Sequence, residues 1–239
     1  MHSFLRDGYR PVYAVSADTV ALHRDEIEVA MYVLYGLPGS RTTRVTWMLE
    51  EVGVEYKLVV TRPHSEIACS VNPSGKLPAL KVGKAVILDS AAICSYLADC
   101  HPQAGLTFDT GTTERAQMES WLHFAMNDLE GPLWMFTRQT LLLPKEKRTR
   151  AILNLCAEDW ATAVKTMASR LGDGEYAMGE QFTVPDVVLG HIGRWARRCA
   201  YPIQSHSVNA YFDRVQGRPA LARALQREDA AKTAAARSP

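Results

Sequence analysis

The chain has 239 residues, which suits one large or two small domains, and its 47% hydrophobic content is enough to build a sizeable core. Its 27 Lys and Arg nearly balance 26 Asp and Glu, for a formal net charge of +1. The densest basic patch, Lys145 to Arg150, reads as a solvated helix face, so no nucleic-acid footprint is expected.

Five scattered cysteines (Cys69, Cys94, Cys100, Cys156, Cys199) form no C-x-x-C, and the seven histidines form no H-x-x-x-H pair. Neither a metal site nor a dithiol redox centre is signalled, and no metal is expected. There is no apolar run of membrane-spanning length and no secretion-signal stretch near the start, so the cytoplasm is the expected compartment. Residues 1–30 have an apolar run at Val12 to Val15, interrupted on both sides by charges such as Arg6, Asp7, Arg24 and Asp25. They show no period and are expected to be an extension of unknown role.

Tyr32 to Tyr35 is β-rich and stops at Gly36, a first strand; Leu37-Pro38-Gly39-Ser40 follows as a loop. Val45, Met48, Leu49 and Val52 recur at helical spacing, and Gly53 ends that helix. Glu55 to Val60 alternates as a second strand, and Val71 to Gly75 is loop. Leu77 to Val82 and Ala85 to Leu88 are two short strands around Gly83. Ser90 is expected to cap a helix carrying Ile93, Cys94 and Leu97. This order predicts a mixed sheet covered by helices, a thioredoxin-like α/β domain over residues 31–101.

Two pieces of this domain suggest a ligand. A cis bond at Leu77-Pro78 would turn the Leu77 amide and carbonyl outward, where an extended peptide could pair with them. Asp89-Ser90 would set N–H groups and a hydroxyl at a helix start, a seat for a carboxylate. Each feature alone is common in unrelated proteins, but together they suit a small peptide with a free carboxylate.

A linker is expected over residues 102–111, and then only helix over 112–228. Met118, Trp121, Leu122, Ala125, Met126 and Leu129 make one apolar stripe, and Pro132 to Leu143 a second apolar segment. Ile152 to Leu171 makes a long helix ended by Gly172. Thr183-Val184-Pro185-Asp186 is a capping box with Asp in place of the usual Glu, opening the most buried-looking helix. Val208 to Val215 is a further helix, Ala220 to Leu225 a short last one, and residues 229–239 an expected flexible tail.

The stretch Tyr32 to Leu225 resembles the cytosolic glutathione transferase family, in its bacterial, serine-like form. The resemblance is carried by Pro38-Gly39-Ser40, Leu49-Glu50-Glu51-Val52-Gly53, Asn72-Pro73-Ser74-Gly75-Lys76-Leu77-Pro78-Ala79-Leu80, Leu88-Asp89-Ser90-Ala91-Ala92-Ile93 and Met178 to Asp186. It implies a thioredoxin-like N-terminal domain plus an all-α helical C-terminal domain, working as a homodimer. It implies that Asp89 and Ser90 hold the γ-glutamyl end of glutathione, that the Leu77 backbone before Pro78 pairs with the cysteinyl residue, and that Lys76 lies near the glycyl carboxylate. It implies glutathione as cosubstrate, no metal, and conjugation to a small hydrophobic electrophile. Trp121, Phe124 and Trp195 could border the acceptor pocket or be plain helix core.

Conjugation needs a thiolate, and a free thiol with a pKa of about 8.5 is mostly protonated at neutral pH. A hydroxyl and a helix N-terminus aimed at the sulfur would favour the anion. Ser40 is the first candidate hydroxyl and Tyr35 the second, with Arg41, Thr42 and Thr43 behind them. No cysteine lies in this loop, which disfavours a mixed-disulfide mechanism. Glutathione peroxidase or isomerase activity, and a non-catalytic protein-interaction module, are the alternatives on the same fold.

Overall fold

The computed structural model describes residues 31–237; the expected extension over residues 1–30 and residues 238–239 lie outside the described residues. The first strand, β1 (Tyr32–Gly36), alternates buried and half-buried residues, as a strand with one face on the core must. Helix α1 (Thr42–Val52) buries Val45, Trp47, Met48 and Leu49 completely. Strand β2 (Tyr56–Val60) runs parallel to β1, with Tyr32 opposite Tyr56.

A short helix not anticipated from the sequence, α2 (Glu66–Val71), precedes the next strand. The Ser65 side chain caps it by accepting from the Ala68 N–H at 3.1 Å. At six residues it is too short to show a helical period. Strands β3 (Ala79–Val82) and β4 (Ala85–Leu88) form the expected hairpin, and β3 is antiparallel to β1. The sheet order is β2-β1-β3-β4.

Helix α3 (Ser90–Cys100) follows, and here the cap differs from expectation. Asp89, not Ser90, is the N-cap, accepting from the Ala91 N–H at 2.9 Å. Ser90 is already helical and buried, its hydroxyl turned inward.

The remainder is helical. Helix α4 (Thr113–Phe124) runs through a π turn into α5 (Glu130–Thr137), and a second π turn covers Arg138–Leu142. Then come α6 (Arg150–Leu171), α7 (Val184–Arg198), α8 (His206–Gln216) and α9 (Pro219–Arg237). The capping box of α7 forms as read: Asp186 accepts from the Thr183 N–H at 2.8 Å, and also from the Ala177 N–H and the Tyr211 hydroxyl.

The last helix corrects the sequence reading. It extends to Arg237 instead of stopping near Leu225, so most of the expected flexible tail is helix. Alanine is the best helix former, and the Ala-rich stretch continues the helix rather than fraying it. Its first half is anchored by buried Ala220, Leu221 and Ala224 and by the Arg218–Glu51 and Arg223–Glu50 ion pairs to α1.

Helix α7 packs against α1, α3, α4 and α8, so the sheet domain and the helical part share a core. Gly190 permits the approach: a Cβ there would lie 2.8 Å from the Trp47 ring and 2.6 Å from Val215. This docking, together with α9 packed on α1 and β2, brings two distant helices around the loop that follows β1.

Candidate active site

The loop from Leu37 to Arg41 joins β1 to the N-terminus of α1. Gly39 takes φ +79°, a region that side-chain-bearing residues avoid. Its N–H donates to Glu228 Oε2 on α9 at 2.8 Å, and its carbonyl accepts from Arg198 Nη1 on α7 at 3.0 Å. The Ser40 carbonyl accepts from His191 Nε2 on α7 at 3.0 Å. Three consecutive peptide groups are thus held by side chains from α7 and α9. The Ser40 hydroxyl donates to the Leu37 carbonyl at 2.6 Å and accepts from the Thr42 N–H at 3.2 Å.

Behind the loop lies a buried charged cluster. Arg44, on α1, is fully buried. Its Nε donates to His191 Nδ1 at 3.1 Å, its Nη1 to Ser90 Oγ at 3.2 Å, and its Nη2 to Glu130. Arg41 Nε also donates to Glu130, at 2.5 Å. Burial acts to raise the Glu130 carboxyl, but Arg44 and Arg41 outweigh it, and it sits below the usual carboxylate range.

Burial, reinforced by Arg44, holds His191 well below its ordinary value, so it is neutral at physiological pH. Because Nδ1 accepts from Arg44, the proton must be on Nε2, which donates to Ser40. Glu228 is 1% exposed and has no ion-pair partner among the described residues. It also accepts from the Thr43 and Thr46 hydroxyls at 3.0 Å each, and burial pushes its carboxyl upward against those hydrogen bonds.

A cavity of about 270 Å³ opens between the loop and the helical part. One wall is Leu37 to Arg41; the other is Trp134 and Thr137 with His191, Trp195 and Arg198. The Arg41 guanidinium lies over both tryptophan rings, 4.8 Å from Trp134 and 5.1 Å from Trp195. The two rings meet edge to face at 6.4 Å.

Of the residues expected in an active site, Ser40 and Trp195 line this cavity. Tyr35 does not; it is half-buried on β1 opposite Ala79, on the sheet face away from fully buried Leu34. Trp121 and Phe124 are not brought to the cavity. They pack edge to face on each other, with the Arg170 guanidinium 4.0 Å and 4.8 Å from their rings, and Trp121 lines a separate cleft with Ser120 and Arg170. Their place on α4 turns them toward α6 instead.

The other expected ligand positions lie at one end of the sheet. β3 and β4 are antiparallel, and β3 is antiparallel to β1. The start of β3, the end of β4 and the end of β1 therefore coincide, bringing the Leu77-Pro78 bond and Asp89 to the end that carries the Leu37–Arg41 loop. The Leu77-Pro78 bond is cis. Asp89 adopts φ +71°, a strained conformation for a residue with a side chain. Its Oδ1 caps α3, leaving Oδ2 toward solvent. Ser90 accepts from Arg44, so its own O–H remains available to donate. Lys76 is exposed, and its carbonyl is fixed by Asn72 Nδ2 at 2.8 Å.

Glu130, His191, Glu228, Trp134 and Arg198 went unremarked in the sequence. Each is a single residue inside a helical pattern, with no partner at a telling spacing. Among the described residues, no cluster of three or more His, Cys, Asp or Glu could hold a metal, and no helix is long and apolar enough to cross a membrane.

Comparison with known proteins fits this geometry. Residues 30–99 match the glutathione S-transferase N-terminal domain. The glutathione S-transferase GST-4.5 of Xanthomonas campestris pv. campestris is 28% identical over 163 residues, covering 66% of this chain and 78% of that protein. The glutathione S-transferase GstA of Escherichia coli O157:H7 is 25% identical over 204 residues, covering 82% and 98%. A glutathione transferase structure from Methylococcus capsulatus superposes with a TM-score of 0.74 at 26% identity, over 83% of this chain and 99% of that one. The fold is thus that of a thioredoxin-like domain joined to a helical one. Residues 30–99 thus match a glutathione S-transferase N-terminal domain, and the chain is similar to glutathione transferases over most of its length.

Proposed function

We propose that the protein conjugates glutathione to a small electrophile held in the cavity beside Ser40. Asp89 Oδ2 would take the γ-glutamyl ammonium, and the Ser90 O–H with the N–H groups opening α3 would take its carboxylate. The Leu77 backbone would pair with the cysteinyl residue, and Lys76 would face the glycyl carboxylate. The thiol loses its proton to solvent. The sulfur lone pair then forms the S–C bond while the leaving group departs with its electron pair.

The observation that carries this reading is the loop itself: Ser40 faces the cavity at the N-terminus of α1, with no acidic residue in the first turn of that helix. To stabilise the thiolate, the Ser40 hydroxyl turns its proton from the Leu37 carbonyl to the sulfur. It gives up a neutral hydrogen bond worth about 1 kcal/mol for a charge-assisted one roughly twice as strong. The exchange is favourable, and the α1 dipole adds to it. Tyr35, off the cavity wall, is the weaker candidate. The likeness to the family supports a cytoplasmic homodimer as the working form.

The test is a pH titration of glutathione thiolate absorbance with and without the protein. A bound pKa below the free value supports the transferase reading. Binding without a shift would redirect it to a carrier or disulfide-handling role, and no binding would leave a fold used for protein contacts.

A further inference from the structure

We propose that the electrophile taken by this cavity is an aromatic compound carrying a carboxylate, and that Arg198 holds that carboxylate. The inference rests on the glutathione-conjugation reading and names the substrate class for it. The observations are the chemistry of the far wall. Trp134 and Trp195 supply two aromatic faces, and the volume of about 270 Å³ corresponds to roughly nine waters at ~30 Å³ each, room for one substituted ring.

The cations of the region are not equivalent. Arg41 and Arg44 share the Glu130 carboxylate, and Arg44 is sealed from solvent. Glu228 lies behind the loop on the Gly39 N–H, biased by burial toward its neutral form. Arg198 alone has no carboxylate partner among the described residues.

Its one hydrogen bond, Nη1 to the Gly39 carbonyl, fixes the guanidinium on the cavity wall and leaves Nε–H and Nη2–H donors open. A planar guanidinium with free donors beside two aromatic rings set edge to face matches the geometry of an aromatic acid. A neutral electrophile would fill the same aromatic slot and leave those donors to water. In the conjugation step the carboxylate is a spectator. The thiolate sulfur displaces a leaving group from the carbon attached to the ring, and no further reactant is required.

The experiment measures, by calorimetry on the full chain, the affinities of two probes that differ only in the charge: S-benzylglutathione and S-(4-carboxybenzyl)glutathione. The expected result is about tenfold tighter binding of the carboxylate at low salt, equivalent to ~1.4 kcal/mol. The ratio should shrink as ionic strength rises, because Arg198 is exposed. Arg198→Gln should bring the ratio to one, and Arg198→Lys should keep part of it. Equal affinities in the wild type, or a preference that persists in Arg198→Gln, overturn the proposal while leaving the conjugation reading intact. An equal loss for both probes in Arg198→Gln also overturns it, since Arg198 would then hold glutathione itself. Failure of both probes to bind the wild type would overturn this proposal together with the reading beneath it.

Discussion

Replacing Glu130 by Ala isolates the energetic role of the cluster behind the loop. The carboxylate side chain is 5% exposed and neutralises two guanidinium groups, one of them, on Arg44, fully buried. Removing it leaves Arg44 as a buried cation whose remaining partners, His191 Nδ1, Ser90 Oγ and Met126 Sδ, are all neutral. Breaking a buried pair from one side costs about 3–5 kcal/mol.

For a chain of this size each kcal/mol lowers the thermal midpoint by about 2–4 °C, so the expected fall is roughly 6–20 °C. The assay is thermal unfolding followed by circular dichroism at neutral pH. Glu130→Ala combined with Arg44→Met should recover part of the loss, because no unpaired charge then stays buried. A fall of under about 2 °C for the single variant would refute the reasoning. So would a double variant that loses the full sum of both changes.

The cluster also has a pH signature. The Glu130 carboxyl sits below its unfolded value, so its contribution is present above about pH 4.3 and is lost as pH falls through the lower folded value. His191 is likewise depressed, so its contribution is present above about pH 6.5 and is lost at ~1.4 kcal/mol per pH unit below that. Denaturant unfolding of His191→Phe should show a shallower decline between pH 6.5 and pH 5 than the wild type; parallel profiles would contradict the assignment.

Four further variants address the loop and the ligand end. Glu228 behaves in the opposite sense: its raised carboxyl makes stability fall as pH rises from about 4.3 through the folded value. Glu228→Gln can keep the bonds to Gly39, Thr43 and Thr46 and should match the wild type within about 1 kcal/mol at neutral pH. Glu228→Ala, leaving the Gly39 N–H without its acceptor, should cost about 1–3 kcal/mol in urea unfolding. Ser40→Ala should raise the pKa of bound glutathione by about one unit, the ~1.4 kcal/mol of one charge-assisted bond. An unchanged pKa and turnover would transfer the role to Tyr35. Asp89→Ala should abolish glutathione binding measured by calorimetry while the helical circular dichroism signal is kept; retained affinity would remove the ligand assignment.

The parts of the chain that were legible in the sequence are those whose physics is local. Val45, Met48 and Leu49 repeat at helical spacing because one face of α1 must be buried, and all three are fully buried. The capping box at Thr183 and Asp186 spans three residues, and the β3–β4 hairpin turns within a few. The departures from the expected pattern are local too: the α3 cap is Asp89 rather than Ser90, and the Ala-rich stretch continues as helix to Arg237.

What was not legible depends on separation. Gly39 meets Glu228 across 189 residues, Arg44 meets His191 across 147 and Glu130 across 86. A single histidine or carboxylate inside a helix has no period or spacing to mark it, so nothing local distinguishes a clamp from a surface charge. Trp121, Phe124 and Trp195 carry the same aromatic signal, yet only Trp195 faces the cavity, because helix packing decides which side of a helix meets which neighbour. Local pattern in the chain is enough for most of the elements, their order and the glutathione-type motif, but not for the short α2 or the full length of α9. Only the docking of α7 and α9 onto α1 decided which distant side chains hold the loop and line the cavity, since burial and charge pairing act through space rather than along the chain.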